Sequence, residues 1–123
     1  MLAADLRIAG SNASFAIPPA QLGISYPAED LARLSALVGP GQAARLVFTA
    51  ETIDAAEALR IGLVESIGDG AAVAATIAAN DRDALVALKT MLRDPAAPEH
   101  GRAFENSFAS ARFRDATQRY RKR

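Results

Sequence analysis

The stretch Phe15-Ala-Ile-Pro-Pro-Ala-Gln-Leu-Gly-Ile-Ser-Tyr-Pro27 carries no charge and three of the six prolines in the chain. Adjacent prolines at 18 and 19 fix φ and remove two backbone donors, so a strand cannot continue through them. Gly23 and Pro27 punctuate the exit, and an acidic, leucine-spaced segment follows. The pattern predicts a stiff, donor-poor bend between a strand and a helix. Such a bend reads either as the wall of a pocket for an apolar ligand or as a buried connection that holds none.

Upstream of it, Leu6, Ile8 and Ala9 predict a buried strand ending at Gly10-Ser-Asn, and Ala13 to Ile17 predict a second. A strand this close to Met1 needs neighbours, and few others are readable, so the expectation is an incomplete domain or an internal start. Downstream, a helix is expected from about Pro27 to Val38. Proline suits the first helical turn, Glu29 and Asp30 sit where the helix dipole favours anions, and Leu31, Leu34, Leu37 and Val38 form one stripe. Gly39 and Pro40 separate this from a second helix that presents Ala43, Leu46 and Val47. Asp54-Ala-Ala-Glu57 has the form of an N-terminal helix signal, Gly62 is placed to end that helix in a left-handed cap, and Leu63–Ile67 alternates like a strand. Gly68-Asp-Gly70 is a turn.

From Ala71 on only helices are expected. One covers Ala71–Ala79. The next is capped by Asn80 or Asp81 and carries a Leu85, Leu88, Leu92 stripe. After the Asp94–Pro98 loop, a last helix from about Glu99 places Phe104, Phe108 and Ala111 on one face, with a bend or a new segment near Ser110.

The 123 residues suffice for one domain or part of one. Half are hydrophobic but only 6% are aromatic, which predicts a closely spaced, largely helical core. Fourteen basic and fourteen acidic residues cancel, leaving no global field for nucleic acid or an acidic membrane. The basic end, Arg119–Arg123, does not change that expectation. With no cysteine and one histidine, neither thiolate chemistry nor a transition-metal site is expected. No apolar run approaches the roughly 20 residues that span a bilayer, and no secretory signal opens the chain. The expected location is the cytoplasm.

Four runs, taken in order, carry a resemblance. Leu2-Ala-Ala-Asp-Leu-Arg-Ile-Ala9, then Phe15, then Pro19-Ala-Gln-Leu-Gly23, then Ala56-Glu-Ala-Leu-Arg-Ile-Gly-Leu-Val64 resemble the crotonase, or enoyl-CoA hydratase/isomerase, superfamily. The resemblance covers nearly all of this chain but only the C-terminal half of a family member. It implies a partial crotonase-like α/β fold, a few short strands followed by helices. Residues 1–70 would form the C-terminal part of the core and residues 71–123 a helical C-terminal segment. It also implies acyl-CoA as a partner, coenzyme A entering as the thioester moiety of a substrate rather than as a cofactor, and a homo-oligomer, trimer or hexamer.

Family members hold the thioester carbonyl with two backbone N–H groups, an electrostatic stabilisation of developing charge. Hydratases add two glutamates for proton transfer. By the resemblance, the oxyanion donors and first glutamate lie ahead of Met1, and the second glutamate falls at Pro19, which can be neither acid nor base. Glu29 is the remaining candidate for a relocated base; its plainer reading is a solvated first-turn charge. Ile17, Pro19, Gly23 and Tyr26 are expected at the substrate pocket. Phe108 would approach the CoA adenine and Lys89 the phosphates, unless they are simply core and solvated face. His100 has no partners suited to catalysis. Three functions stay open: a shortened family member inactive alone, an enzyme completed by a partner half or by oligomerisation, and a non-catalytic oligomerisation module.

Overall fold

The structure, a computed structural model, describes residues 1–120; the basic end read at Arg119–Arg123 lies outside them from residue 121 on. Four two-residue strands alternate with eight helices among these residues: β1 (Ile8–Ala9), β2 (Ser14–Phe15), α1 (Pro19–Leu22), α2 (Ala28–Val38), α3 (Pro40–Thr49), β3 (Ile53–Asp54), α4 (Ala55–Arg60), β4 (Ser66–Ile67), α5 (Gly70–Ala78), α6 (Arg82–Arg93), α7 (His100–Ser107) and α8 (Ala111–Tyr120). The fold is α/β, mostly helical. The chain divides into two units, Met1–Ala72 and Val73–Arg123.

In the first unit β1 pairs in parallel with β4, Ile8 opposite Ser66 and Ala9 opposite Ile67. Antiparallel pairing joins β2 to β3, Ser14 opposite Asp54 and Phe15 opposite Ile53. Helices α2 and α3 pack on each other through the stripes anticipated above, and α4 packs on β2, β3 and β4. The side chains they bury make one core of Ala9, Leu34, Leu46, Ile53, Ala58, Leu63 and Val64, with neighbours of similar size. Alanines at 9, 43, 55 and 58 let the backbones approach closely, so a core with few aromatics is still filled.

Two sequence expectations need correction. Leu6 is exposed, and it is Arg7 that turns inward with Ala9. Side chains alternate along a strand, and a buried arginine is tolerated here because its neighbours satisfy it: Nε donates to the Leu63 carbonyl at 2.9 Å, Nη1 to the Ala4 carbonyl at 2.8 Å, and Nη2 pairs with Glu65. The Pro18-Pro19 bend is the start of a helix, not only a turn. Pro18 is the N-cap of α1 and Pro19 occupies its first turn, where missing N–H groups leave no intrahelical bond unmade. Strand β3, which borders α4, was not anticipated; its two residues are too few to show a period.

Helix α4 shows how closely sequence dictates its ends. The Asp54 carboxylate accepts from the Glu57 N–H at 2.8 Å, a side-chain N-cap. At the other end Gly62 N–H reaches the Leu59 carbonyl at 3.1 Å and Leu63 N–H the Ala58 carbonyl at 2.9 Å, the paired bonds of a Schellman motif. Gly62 has φ +79°, and a Cβ there would lie 3.3 Å from the Leu37 carbonyl oxygen. Gly62→Ala is therefore expected to cost about 1–3 kcal/mol, read as a lower urea midpoint.

A second polar cluster ties α3 to α4. Glu57 is held by Arg60, Nε to Oε2 at 2.6 Å, and by Arg45, Nη2 to Oε1 at 2.5 Å. Arg45 also bonds Gln42 at 2.8 Å and Glu51 at 3.0 Å. The hydrogen bond from Arg60, with that from Arg45, lowers the Glu57 pKa from 4.5 to about 2. A depressed carboxylate pKa contributes stability that is complete above the unfolded value and is lost as pH falls through the folded one. Stability should thus decline between about pH 4.5 and pH 2, with a shallower decline in Glu57→Gln, as urea midpoints across that range would record.

The second unit is built differently. Asp81 caps α6 by accepting from the Ala84 N–H at 2.9 Å. The last helix expected from sequence is divided near Ser110 into α7 and α8, and Ser110 Oγ accepts from the Phe113 N–H at 3.1 Å. Phe104, Phe108 and Phe113 stack edge to face in series, with centroids 5.0 and 5.2 Å apart. No residue of α6 or α7 is buried. In the anticipated leucine stripe, Leu88 and Leu92 are exposed, Leu92 by 86%.

Candidate functional site

The first unit contains an open cavity of about 500 Å³. Strand β2 and the two residues after it supply one side: Ser14, Phe15, Ala16 and Ile17. Helix α2 supplies another through Asp30, Leu31, Arg33 and Leu34, and Tyr26 stands just ahead of that helix. Met1, Leu2, Ala3 and Leu63 complete the lining. The helix contributes these four because residues three and four apart share a face. The bend from Pro18 to Pro27 sets the separation of strand and helix.

Most of the lining is apolar, and its charged groups are paired. Arg33 Nη1 lies 3.1 Å from Asp30 Oδ1, and its Nη2 lies 3.6 Å from Glu29 Oε2. The arrangement suits an apolar group lying between strand and helix. It offers no pair of carboxylates converging on a reacting atom.

Ile17 and Tyr26 border this cavity. Pro19 and Gly23 are not among its lining residues: Pro19 is buried in α1, and Gly23 caps that helix with φ +67°. Both lie on the backbone path between β2 and α2. Glu29 is solvent-exposed at the start of α2, paired with Arg33, and outside the lining. Leu31, Leu34 and Leu63, which do line the cavity, were not singled out for it by the sequence; Phe15 opens the stretch that read either as a pocket wall or as a buried connection. The signal that distinguishes Leu31 is its neighbours Asp30 and Arg33, which place a charged margin beside an apolar stripe.

In the second unit, Phe108 is 47% exposed at the break between α7 and α8, and Lys89 lies on the exposed side of α6. A groove of about 850 Å³ runs along α6, α7 and α8, lined by Asp81, Ala87, Ala103, Ser107, Arg112 and Phe113 among others; Phe108 and Lys89 do not line it. His100 Nε2 lies 2.5 Å from the Asp94 carbonyl oxygen, a loop contact. Among the described residues no three His, Cys, Asp or Glu side chains are grouped to hold a metal ion. No helix among them is long and apolar enough to cross a membrane.

Comparison with known proteins places this geometry. A short-chain-enoyl-CoA hydratase from Clostridium acetobutylicum is 52% identical over 66 residues, 54% of this chain and 25% of that protein. The crystal structure of an enoyl-CoA hydratase/isomerase family protein from Hyphomonas neptunium superposes with a TM-score of 0.81 at 35% identity, over 98% of this chain and 51% of that one. Enoyl-CoA hydratase from Bacillus anthracis gives a TM-score of 0.83 at 27% identity, over 98% of this chain and 52% of its own. The chain thus spans about half the length of the solved structures it matches. The enoyl-CoA hydratase/isomerase family model matches residues 1–121. Nearly the whole sequence is accounted for by that match, and the chain belongs to the enoyl-CoA hydratase/isomerase family.

Proposed function

We propose that this chain is the C-terminal half of a crotonase-type acyl-CoA unit, and that it does not hydrate enoyl-CoA on its own. The cavity between β2 and α2 takes the apolar acyl portion of the thioester, with Ile17 and Tyr26 in contact and Pro19 and Gly23 shaping its approach. The observation that carries this reading is an apolar cavity with no convergent pair of acids, in a chain matched over residues 1–121 by the enoyl-CoA hydratase/isomerase family. Pro19 stands where the family resemblance puts the second glutamate. Glu29, the remaining candidate base, is engaged by Arg33 outside the cavity.

The absent hydratase activity follows from magnitudes. Loss of one oxyanion donor costs ~10²–10³ in rate, and general acid–base assistance supplies ~10²–10⁴. The factors need not multiply, since groups acting as a unit are non-additive; their loss together, not either one alone, is what takes turnover to background. Crotonyl-CoA absorbance at high protein concentration should stay at the buffer rate. Turnover that disappears in Glu29→Gln would overturn this and make Glu29 the base.

Binding has its own readout. The chain contains no tryptophan, so Tyr26→Trp places one reporter at the cavity. Octanoyl-CoA should shift its emission, whereas CoA alone should not. For CoA itself, the proposed Phe108 contact predicts a dissociation constant of roughly 1 mM, abolished by Phe108→Ala. Micromolar CoA binding in calorimetry would contradict the half-site reading.

The helical unit supports the oligomeric part of the proposal. Leu88, Leu92, Phe104 and Phe108 are exposed, and apolar surface of this extent marks an interaction face. A homo-oligomer, trimer or hexamer, is the expected state by light scattering.

A further inference from the structure

We infer that Leu31 gauges acyl-chain length. It is the removable part of a partition between the β2–α2 cavity and a second apolar pocket, and it stops a medium-length chain short of that pocket. The inference rests on the acyl-binding reading proposed above.

The first observation is a shared wall. Between α2 and α3 lies a pocket of about 160 Å³, lined by Leu31, Leu34, Ala43, Ala44, Val47 and Phe48. Leu31 and Leu34 also line the β2–α2 cavity. Standing three apart, they share one face of α2, and together they form a two-residue partition between the larger space and the smaller.

The second observation is that the two leucines are not equivalent. Leu34 is 1% exposed and belongs to the buried core, where close packing holds it in place. Leu31 is only partly buried and lies outside that core. Shortening Leu31 therefore opens a passage between the two spaces without cutting into the core.

The third observation is what the second pocket can take. All six of its lining side chains are apolar, so none offers a hydrogen bond to a polar group. Phe48, at its margin, is 78% exposed, apolar surface that an alkyl chain would cover. A dry apolar cavity of roughly 150 Å³ accepts a benzene ring, so this pocket has room for about six carbons. The β2–α2 cavity is exposed at Met1 and Tyr26. A chain entering there ends its path against Leu31, and any further carbons stay in water.

The test uses the full chain carrying the Tyr26→Trp reporter, with octanoyl-CoA and tetradecanoyl-CoA as probes, both below their micelle concentrations. With Leu31 in place, the two dissociation constants should agree within about twofold, because the extra carbons gain no burial. In Leu31→Ala, tetradecanoyl-CoA should bind roughly tenfold or more tighter than octanoyl-CoA, since each methylene withdrawn from water is worth about fourfold. Leu31→Val should give a smaller gain in the same direction, and it serves as the measurement where the alanine variant does not fold. Adding Ala44→Phe fills the second pocket from α3 and should return the ratio to its starting value. A chain with Leu31 intact that already prefers tetradecanoyl-CoA tenfold, a ratio that neither Leu31 variant moves, or a gain that survives Ala44→Phe overturns the inference. The octanoyl-CoA arm separates the two claims. No emission change with octanoyl-CoA removes the acyl-binding reading and the gauge with it, whereas octanoyl-CoA binding with an unmoved ratio keeps that reading and loses the gauge.

Discussion

The Arg7 guanidinium is the fixed point of the first unit. It is 8% exposed and joins three stretches that are distant in sequence or direction. Its side chain reaches the Ala4 carbonyl behind it, the Leu63 carbonyl at the end of α4, and the Glu65 carboxylate ahead of β4. Its own N–H donates to Glu65 Oε2 at 2.5 Å. A buried charge is costly unless its hydrogen bonds are made. Here no buried side-chain nitrogen or oxygen among the described residues lacks a partner. Removing one partner of such a pair costs about 3–5 kcal/mol where both are buried; Glu65 is partly exposed, so the value here is lower. Register is the larger consequence. A β1–β4 ladder of two residue pairs is too short to specify itself, and the Arg7 bonds flank it on one side.

Because β1 and β4 are fixed in this way, Leu63 and Val64 are held inward, and Leu63 becomes both core and cavity lining. The Schellman turn at Gly62 delivers Leu63 to that place, and the missing side chain there leaves room for the Leu37 carbonyl of α2. The cavity is thus a by-product of satisfied backbone groups and small core residues. Its walls are closed at the Leu34 and Leu63 side, where the side chains are fully buried, and exposed at Met1 and Tyr26.

Helix boundaries were the most legible part of this fold. Pro27, Gly39-Pro40, Asp54, Gly62 and Asp81 each act within one turn of chain, so their meaning does not depend on distant partners. Strands were less legible. Leu6 and Ile8 are more apolar than Arg7, and partners 56 and 58 positions away, the Leu63 carbonyl and Glu65, explain why the arginine is inside. Helix stripes were readable as stripes but not as buried surface. The Leu31–Val38 stripe finds α3, whereas Leu88 and Leu92 meet solvent, since amphipathic spacing states that a face needs cover without stating what covers it. The same limit hid most of the cavity: Leu31 and Leu63 look like core in sequence, and geometry alone separates a core residue from a lining one.

Pro19 stands where the family resemblance puts an acid, and its local chemistry explains why a proline fits there. At the first turn of α1, a proline is favoured because the N–H it lacks has no intrahelical acceptor. Pro18 and Pro19 together let the chain leave β2 and enter α1 within four residues, and α1 then reaches the end of α3, where Gln21 Nε2 lies 3.5 Å from the Ala50 carbonyl oxygen. A glutamate at this position would keep the helix but would place a carboxylate in a buried site. Burial raises a carboxyl pKa unless donors compensate, which is useful only when an acid or base is wanted there. The position therefore serves either the backbone path or proton transfer, and in this chain it serves the path. What persists from the family is the frame that holds an apolar cavity between β2 and α2. On the reading proposed above, proton transfer is what a proline at residue 19 gives up.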